Sequence, residues 1–278
     1  MNKKTITKIA VILLSMIISC QASQPGKSPP DTKSTGTQQP QKQQIDPVES
    51  VLKQLSKKTS ELKFYEGQVE YKYIQPLLES EALRKGILYY AKFGDKSLLR
   101  INFETLKQED ENEQKYAEHY IFDGKWLTQV NYQIKSVKRY ELAEPNKTLD
   151  AFDLASRNIP IIGFGKTEDL KKQFEIKLVK REKNEPNDSV RLHLKVKPDS
   201  IYKDDYIWLD FWIDKKSGLP ARVVALSAEE DVYEIKLLKP KVNKEMDTKV
   251  FEFRIPKDFG EPEIVPLKKK TTPSKTGG

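Results

Sequence analysis

The stretch that decides the fold is Tyr206-Ile-Trp-Leu-Asp-Phe-Trp-Ile-Asp214, then Lys215-Lys-Ser-Gly218, then Leu219-Pro-Ala-Arg-Val-Val-Ala-Leu-Ser227. The first and last pieces are rich in β-branched and aromatic residues, which favour strands. The middle piece ends in glycine, which suits a hairpin turn. The stretch therefore predicts two antiparallel strands joined by a short turn.

The same pattern continues outward from this hairpin in both directions. From Phe64 the apolar side chains recur with a period of two, which is typical of half-buried antiparallel strands. Asp123-Gly124 predicts a second tight turn. Further strands are predicted at 64–73, 85–93, 98–103, 116–122, 125–132, 135–142, 174–182, 188–197 and 231–239. About eleven strands in meander order form a mainly β (α+β) fold, whose large sheet should curl toward a barrel.

Two segments break the strand pattern. Asp46 with Pro47 and Glu49 predicts a helix start, and the following apolar residues have helical spacing: Val48, Val51, Leu52, Leu55 and Leu62. Residues 148–173 interrupt the meander with an apolar segment containing Pro160, followed by a helix over Thr167–Phe174. The first segment should cover one face of the sheet, and the second is an insertion between two sets of strands.

The N-terminus predicts export and attachment to a membrane. Three early lysines precede the apolar run 9–18, which is too short to span a bilayer comfortably. Ile17-Ile-Ser-Cys20 resembles the bacterial lipobox, in which the cysteine is lipidated and becomes the first mature residue. An ordinary signal peptide with an unrelated cysteine is the alternative. The predicted parts are a signal peptide at 1–19, a disordered Pro/Gln-rich tether at 20–47, a folded domain at 48–267 and a basic disordered tail at 268–278.

Charge and composition exclude several classes of function. The ends of the chain carry the formal net charge of +8, so residues 48–267 hold 39 basic and 39 acidic residues. This neutral body offers no basic face for phosphates, and no nucleic-acid partner is expected. One cysteine and two histidines make a Cys/His metal cluster improbable, and we expect neither metal nor cofactor.

The prediction is also that the chain is not an enzyme, with no catalytic residue. Asp204 with Asp205, or Asp210 with Asp214, could be paired carboxylates, but Asp210 and Asp214 are four positions apart on a strand and Asp214 is placed at a hairpin end where acidic residues are ordinary. The two histidines, His119 and His193, occupy strand positions, where a partly exposed residue is a simpler interpretation than a general base.

Several phrases, taken in order, resemble the LolA/LolB-like lipoprotein-carrier family over about residues 48–260. They are Gly86-Ile-Leu-Tyr-Tyr90 leading to Leu99-Arg100, Ile121-Phe-Asp-Gly-Lys-Trp126, Trp208-Leu-Asp-Phe-Trp-Ile-Asp214 with Gly218-Leu-Pro-Ala-Arg222, and Val250-Phe-Glu-Phe-Arg-Ile-Pro256. The resemblance implies an unclosed antiparallel half-barrel whose concave apolar face holds acyl chains and is covered by helices.

The same resemblance implies candidate site residues. The cavity lining would comprise Tyr71, Tyr73, Tyr89 or Tyr90, Leu99, Ile101, Phe103, Trp126, Trp208 and Trp212. The lid over it would include Phe152, Ile159, Ile161, Ile162 and Phe164. For each lining residue, a place in a solid core is the alternative. Carriers of this family commonly have an Arg-Pro pair after the second strand, whereas this chain has Lys92 as the only cation there, so the lid-latch role of that arginine is not transferred.

Two functions remain open at this point. The first is a membrane-anchored lipoprotein, on the outer membrane facing the periplasm, that binds acyl chains of lipids or lipoproteins and acts in their transport or localisation. A tether through Cys20 favours an acceptor over a soluble shuttle. The alternative is a periplasmic module on the same fold that senses lipid or binds a protein partner without transport.

Overall fold

The computed structural model describes residues 46–144, 147, 149–151, 167–180 and 188–267. The predicted signal peptide, most of the tether and the C-terminal tail lie outside these residues. Helix α1 spans Pro47–Ser60, and its start is the predicted one: the Asp46 side chain accepts a hydrogen bond from the Val48 amide at 3.0 Å. Leu52 and Leu55 are buried against the sheet, as their spacing predicts.

Within the described residues, twelve strands form one unclosed sheet, a half-barrel, in which β1 to β11 match the eleven predicted strands. Helix α2, which is Thr167–Gln173, precedes β7 as predicted. The strands are β1 Phe64–Gln75, β2 Ser80–Phe93, β3 Lys96–Gln108, β4 Gln114–Phe122, β5 Trp126–Asn131, β6 Ser136–Glu141, β7 Phe174–Val179, β8 Ser189–Val196, β9 Tyr206–Asp214, β10 Pro220–Ser227, β11 Val232–Val242 and β12 Glu263–Val265.

Strand β12 corrects the prediction of a purely antiparallel sheet. It pairs with the edge strand β6 in parallel, with Ile264 opposite Arg139. A three-residue strand has no periodicity to read, so its sequence carried no sign of this pairing. The sheet is therefore mixed, with β12 and β7 at its two ends.

The two sets of strands on either side of the insertion join through β1 rather than through the strands that flank the insertion. The order in the sheet is β12-β6-β5-β4-β3-β2-β1-β11-β10-β9-β8-β7. Tyr71 of β1 is consequently paired with Arg84 of β2 on one side and with Ile235 of β11 on the other. The first and last long strands are neighbours at the centre of the sheet.

The main core lies on the face of the sheet that α1 covers, which we call the inner face. Its strand residues alternate with outward ones, as in Leu209, Phe211 and Ile213 on β9, all at most 5% exposed. Cross-strand partners share this face: Phe211 lies between Leu192 of β8 and Val223 of β10. The inner face is therefore a continuous packed surface across both sets of strands.

The opposite or outer face is covered over β3 to β6 by the chain that follows β11. Ile121, Val130 and Val137 form a second apolar cluster there, with Phe253 and Phe259 packed on it. The Arg100 guanidinium ties this segment down by donating from Nη1 to the carbonyl oxygens of Val250, at 2.7 Å, and Glu252, at 3.0 Å.

Candidate functional site

An apolar cavity lies on the inner face at the end where β1 begins and β2 ends. Its volume is about 30 Å³. The side chains around it are aliphatic or aromatic: Leu62, Tyr65, Leu88, Tyr90, Leu99, Ala151, Leu219, Pro220 and Leu237. A space of this size and lining suits a hydrocarbon group better than a water molecule, which needs polar partners.

The beginning of the predicted lid segment is attached to the rim of this cavity. The Leu149 amide donates to the Gly124 carbonyl oxygen at 2.8 Å, and the Ala151 amide donates to Ser97 Oγ at 2.5 Å. Lys92 Nζ lies 3.1 Å from an Asp150 carboxylate oxygen. Lys92, which lies at the end of β2, therefore contacts the insertion, a contact that the sequence analysis did not anticipate.

The other end of the insertion is attached through α2. Lys171 forms an ion pair with Glu49 of α1, and Lys197 Nζ donates to the Lys171 carbonyl oxygen at 2.5 Å. Phe174, which follows α2, stacks on Tyr202 with a centroid distance of 5.5 Å. The predicted lid residues between these two attachments, Phe152, Ile159, Ile161, Ile162 and Phe164, lie outside the described residues, so their role remains a prediction.

Six of the predicted lining residues lie on the inner face: Tyr71, Tyr73, Tyr90, Leu99, Ile101 and Phe103. Tyr90 and Leu99 border the cavity. Ile101 is paired with the cavity residue Leu88. The other three belong to the core toward the opposite end of the strands, where Tyr73 donates a 2.5 Å hydrogen bond to Asp231 and stacks on Tyr233. Acyl binding by any of the six remains untested.

The three tryptophans lie on the outer face, which corrects their placement in the lining. Trp126 precedes the inward Leu127 on β5, and Trp208 and Trp212 alternate with the inward Leu209 and Phe211. Trp212 is nevertheless buried, because the guanidinium groups of its cross-strand neighbours Arg191 and Arg222 lie 4.9 and 4.3 Å from its ring centroid. The Arg139 guanidinium likewise lies 4.9 Å from the ring centroid of Trp126.

Cations cover these rings through cation–π contacts, so a large aromatic side chain does not require the inner face. The apolar appearance of both sides of β9 hid this from the sequence analysis. Beside Trp212, the buried Asp210 carboxylate accepts a hydrogen bond from Arg191 at 2.7 Å and contacts His193 Nδ1 at 2.7 Å. Asp214 instead accepts hydrogen bonds from Ser217 in the β9–β10 turn, so the structure does not bring the two aspartates together as a carboxylate pair.

A buried polar cluster occupies the inner face on β2, β4 and β5, away from the cavity. We call Arg84, Glu118, Tyr120 and Gln129 the polar inner cluster. The Arg84 and Glu118 side chains are 6% and 1% exposed, and Arg84 Nη1 lies 3.6 Å from Glu118 Oε2. Glu118 Oε1 accepts hydrogen bonds from Tyr120 Oη at 3.1 Å and from Gln129 Nε2 at 2.8 Å.

The environment of this cluster keeps Tyr120 and Arg84 in their ordinary charge states. Burial and the adjacent Glu118 carboxylate raise the pKa of Tyr120 well above its usual value, so its hydroxyl remains a donor. Burial lowers the pKa of Arg84, but Glu118 and the surrounding tyrosines raise it by more, so the guanidinium stays protonated.

Sequence reasoning missed Arg84 and Glu118 as members of a site. The period-two pattern could have identified one of them. Glu118 is two and four positions before Tyr120 and Phe122 on β4, so it faces the same inner side of the sheet. The pairing with Arg84 was not visible, because the two residues belong to different strands with β3 between them.

Among the described residues, no helix has both the length and the apolar character needed to cross a bilayer. The same part of the chain contains no group of three or more His, Cys, Asp or Glu residues arranged to hold a metal ion.

No family model matches the chain, and no curated protein matches it. Solved structures similar to it include an uncharacterized conserved protein from Thermus thermophilus, with 13% identity and a TM-score of 0.45 over 80% of this chain and 99% of that one. A LolA superfamily protein from Nitrosomonas europaea is similar with 13% identity and a TM-score of 0.35, over 74% of this chain and 97% of that one. The similar structures thus include a member of the family that the sequence phrases resemble.

The MucA/MucB complex of Pseudomonas aeruginosa also contains a similar chain, with 13% identity and a TM-score of 0.40. The match covers 74% of this chain and 60% of the other. The present chain therefore spans less than two thirds of that protein's length.

Proposed function

We propose that this chain is a cell-envelope lipoprotein whose half-barrel binds acyl chains on its inner face. The observation that carries the proposal is the cavity, which has an entirely aliphatic and aromatic lining and lies next to the start of the insertion. Ala151 contributes to the lining and belongs to the insertion itself. An apolar ligand entering here would contact both the sheet and the segment predicted to be its lid.

Binding requires this cavity to widen. Its volume of about 30 Å³ is roughly a tenth of the smallest usual ligand pockets, which begin at about 300 Å³. Burial of an acyl chain with about 15 methylene groups, at about 0.8 kcal/mol each, supplies roughly 12 kcal/mol toward that opening. The insertion is the part that we propose to move: hydrogen bonds and ion pairs attach both of its described ends, and Ala151 and Leu170 would have to leave the inner core.

Membrane attachment is the second part of the proposal. Lipidation of Cys20 would provide at least two acyl chains, which suffice for stable anchoring. The Pro/Gln-rich tether of 27 residues after Cys20 would reach about 30 Å as a flexible coil. We propose that a protein held in this way receives lipids or lipoproteins at the outer membrane rather than carrying them across the periplasm.

The anchor is tested by Triton X-114 phase separation. We expect the wild-type protein in the detergent phase and the Cys20→Ala variant outside it. Wild-type protein found wholly in the aqueous phase contradicts the anchor.

The binding site is tested by filling the cavity. Ala151→Leu places additional carbon atoms in the existing space, so the affinity for a fluorescent acyl probe should fall about tenfold while the melting temperature is unchanged or raised. Trp208→Ala is the matched control, because Trp208 lies on the outer face and its loss should leave the probe affinity unchanged. Equal affinity of the Ala151→Leu variant and the wild type would refute binding at this cavity. Absence of probe binding to the wild type would favour the protein-interaction alternative.

A further inference from the structure

The polar inner cluster contains more hydrogen-bonding groups than its neighbours satisfy. Within the part of the chain that the structure describes, Arg84 Nε, Arg84 Nη1 and Glu118 Oε2 are buried and have no hydrogen-bond partner. Buried polar atoms of folded proteins are almost always hydrogen bonded, and leaving donors of a charged group unsatisfied is especially costly. Apart from their ion pair, Arg84 and Glu118 therefore have two donor nitrogens and one acceptor oxygen without a hydrogen bond, on the face that carries the apolar cavity.

The geometry of the ion pair explains why these atoms remain available. Arg84 Nη1 and Glu118 Oε2 are 3.6 Å apart, which is too far for a hydrogen bond between them. Glu118 is held in place by hydrogen bonds to its other oxygen from Tyr120 and Gln129. The Arg84 guanidinium lies 5.5 Å from the centroid of the Tyr116 ring. These contacts hold both charged groups in place. The atoms without a hydrogen bond, Arg84 Nε and Nη1 and Glu118 Oε2, lie next to each other.

The distance from this cluster to the cavity suits an acyl lipid. Arg84 precedes the cavity residue Leu88 by four positions on β2, and both face inward. At about 3.3 Å per residue the separation along the strand is about 13 Å. One acyl chain spans about half of a bilayer hydrocarbon core, or about 15 Å. A lipid with its chain end in the cavity could therefore place its head group at Arg84 and Glu118 when the buried Ile101 and Phe103, which lie between the cavity and the cluster, move aside.

We infer that Arg84 and Glu118 form a head-group subsite for neutral acyl lipids whose head presents both a hydrogen-bond acceptor and a donor, such as an amide or a glycerol hydroxyl. The acceptor would bind the Arg84 N–H groups, and the donor would bind Glu118 Oε2. This inference rests on the proposed function, since it assigns the ligand class of the same inner face.

Other head groups fit this pair of residues less well. A carboxylate or phosphate would accept from Arg84 but would also approach the Glu118 carboxylate, which repels it. An ester offers acceptors and no donor, so Glu118 would stay unsatisfied. The subsite therefore discriminates by the presence of a donor on a neutral head rather than by negative charge.

The first test compares lipids that differ in the head group alone. Palmitamide, 1-monopalmitoylglycerol, methyl palmitate and palmitate compete for a fluorescent acyl probe on the full chain carrying Cys20→Ala. We expect palmitamide and monopalmitoylglycerol to bind at least about tenfold more tightly than methyl palmitate and palmitate, the factor that one charge-assisted hydrogen bond supplies. Equal affinities for all four lipids overturn the subsite and leave the proposed function intact. Failure of every lipid to compete, with no probe bound, overturns the proposed function itself.

The second test removes the pair together. The double variant R84M/E118Q avoids leaving one buried charge alone and keeps an oxygen that accepts from Tyr120 and Gln129. It should bind all four lipids within about twofold of each other. The control R191M/D210N alters the corresponding ion pair on the outer face, where Arg191 is partly exposed, and should retain the preference of the unaltered protein. Retention of the preference by R84M/E118Q overturns the assignment, because the unused atoms would then have a structural role, for instance as the site of a buried water. The head-group series on the wild type decides the question if the double variant does not fold.

Discussion

Phe211 and Trp212 are neighbours on β9, and both are buried, but on opposite faces and by different neighbours. Phe211 lies between Leu192 and Val223 in the apolar core. The tryptophan lies between two arginines, whose guanidinium groups cover its ring while keeping access to water. The two faces of one sheet thus bury aromatic residues in different ways, and burial alone does not identify a ligand-binding surface.

The largest expected effect is the difference in unfolding free energy when each of these two residues is replaced by glutamine. Phe211→Gln places an amide among aliphatic side chains and removes a packed ring, so unfolding free energy should fall by about 4–6 kcal/mol. Trp212→Gln loses apolar contact and two cation–π interactions, but its amide can reach water, and the expected loss is about 2–3 kcal/mol. Urea denaturation monitored by circular dichroism measures both. Equal losses of unfolding free energy would show that water is excluded from the Trp212 site as fully as from the Phe211 site.

An intermediate effect concerns two ion pairs, one on each face, whose carboxylates are both buried. Arg84→Met leaves Glu118 buried without its cation and should cost about 3–5 kcal/mol. Arg191→Met on the outer face should cost only about 1–2 kcal/mol, because Asp210 keeps its contact with His193. The comparison uses the same denaturation experiment. A larger loss of unfolding free energy for Arg191→Met than for Arg84→Met would contradict the expectation that the inner ion pair is the less tolerant of losing its cation.

The smallest effect concerns acid stability, and it lies on the outer face over β3 and β4. Burial and the nearby Arg100 guanidinium, 3.3 Å from His119 Nδ1, lower the pKa of His119 from 6.5 to about 4. The unfolded chain therefore takes up this proton first, and the stability present above about pH 6.5 is lost as the pH falls toward 4.

For His119 the loss should amount to about 2 kcal/mol, after allowance for partial solvent access. His119→Gln removes this contribution, so its stability should fall less than that of the wild type between pH 7 and pH 4. The difference between the two proteins is the measured quantity, because carboxylates titrate in both. If the stabilities of the two proteins fall in parallel between pH 7 and pH 4, the pKa of His119 in the folded protein is not lowered as described.

Local patterns in the sequence were sufficient for strands β1 to β11 and for the two helices. The period of two predicted strands β1 to β11, and Asp46 with Pro47 predicted the start of α1. Asp123-Gly124 predicted its turn, in which Asp123 accepts hydrogen bonds from two following amides. Each of these features depends on residues a few positions apart, whose preferences act before any distant contact forms.

The sequence by itself therefore determined strands β1 to β11, the first helix and which residues of a strand share a face. The tertiary structure alone decided which face became the inner one, since β9 carries large apolar residues on both sides. It also decided the pairing of β1 with β11, the parallel addition of β12 and the contact of Arg84 with Glu118. The physical reason is that alternation specifies a relative orientation, whereas the choice of face and partner depends on contacts between strands that are distant in the chain.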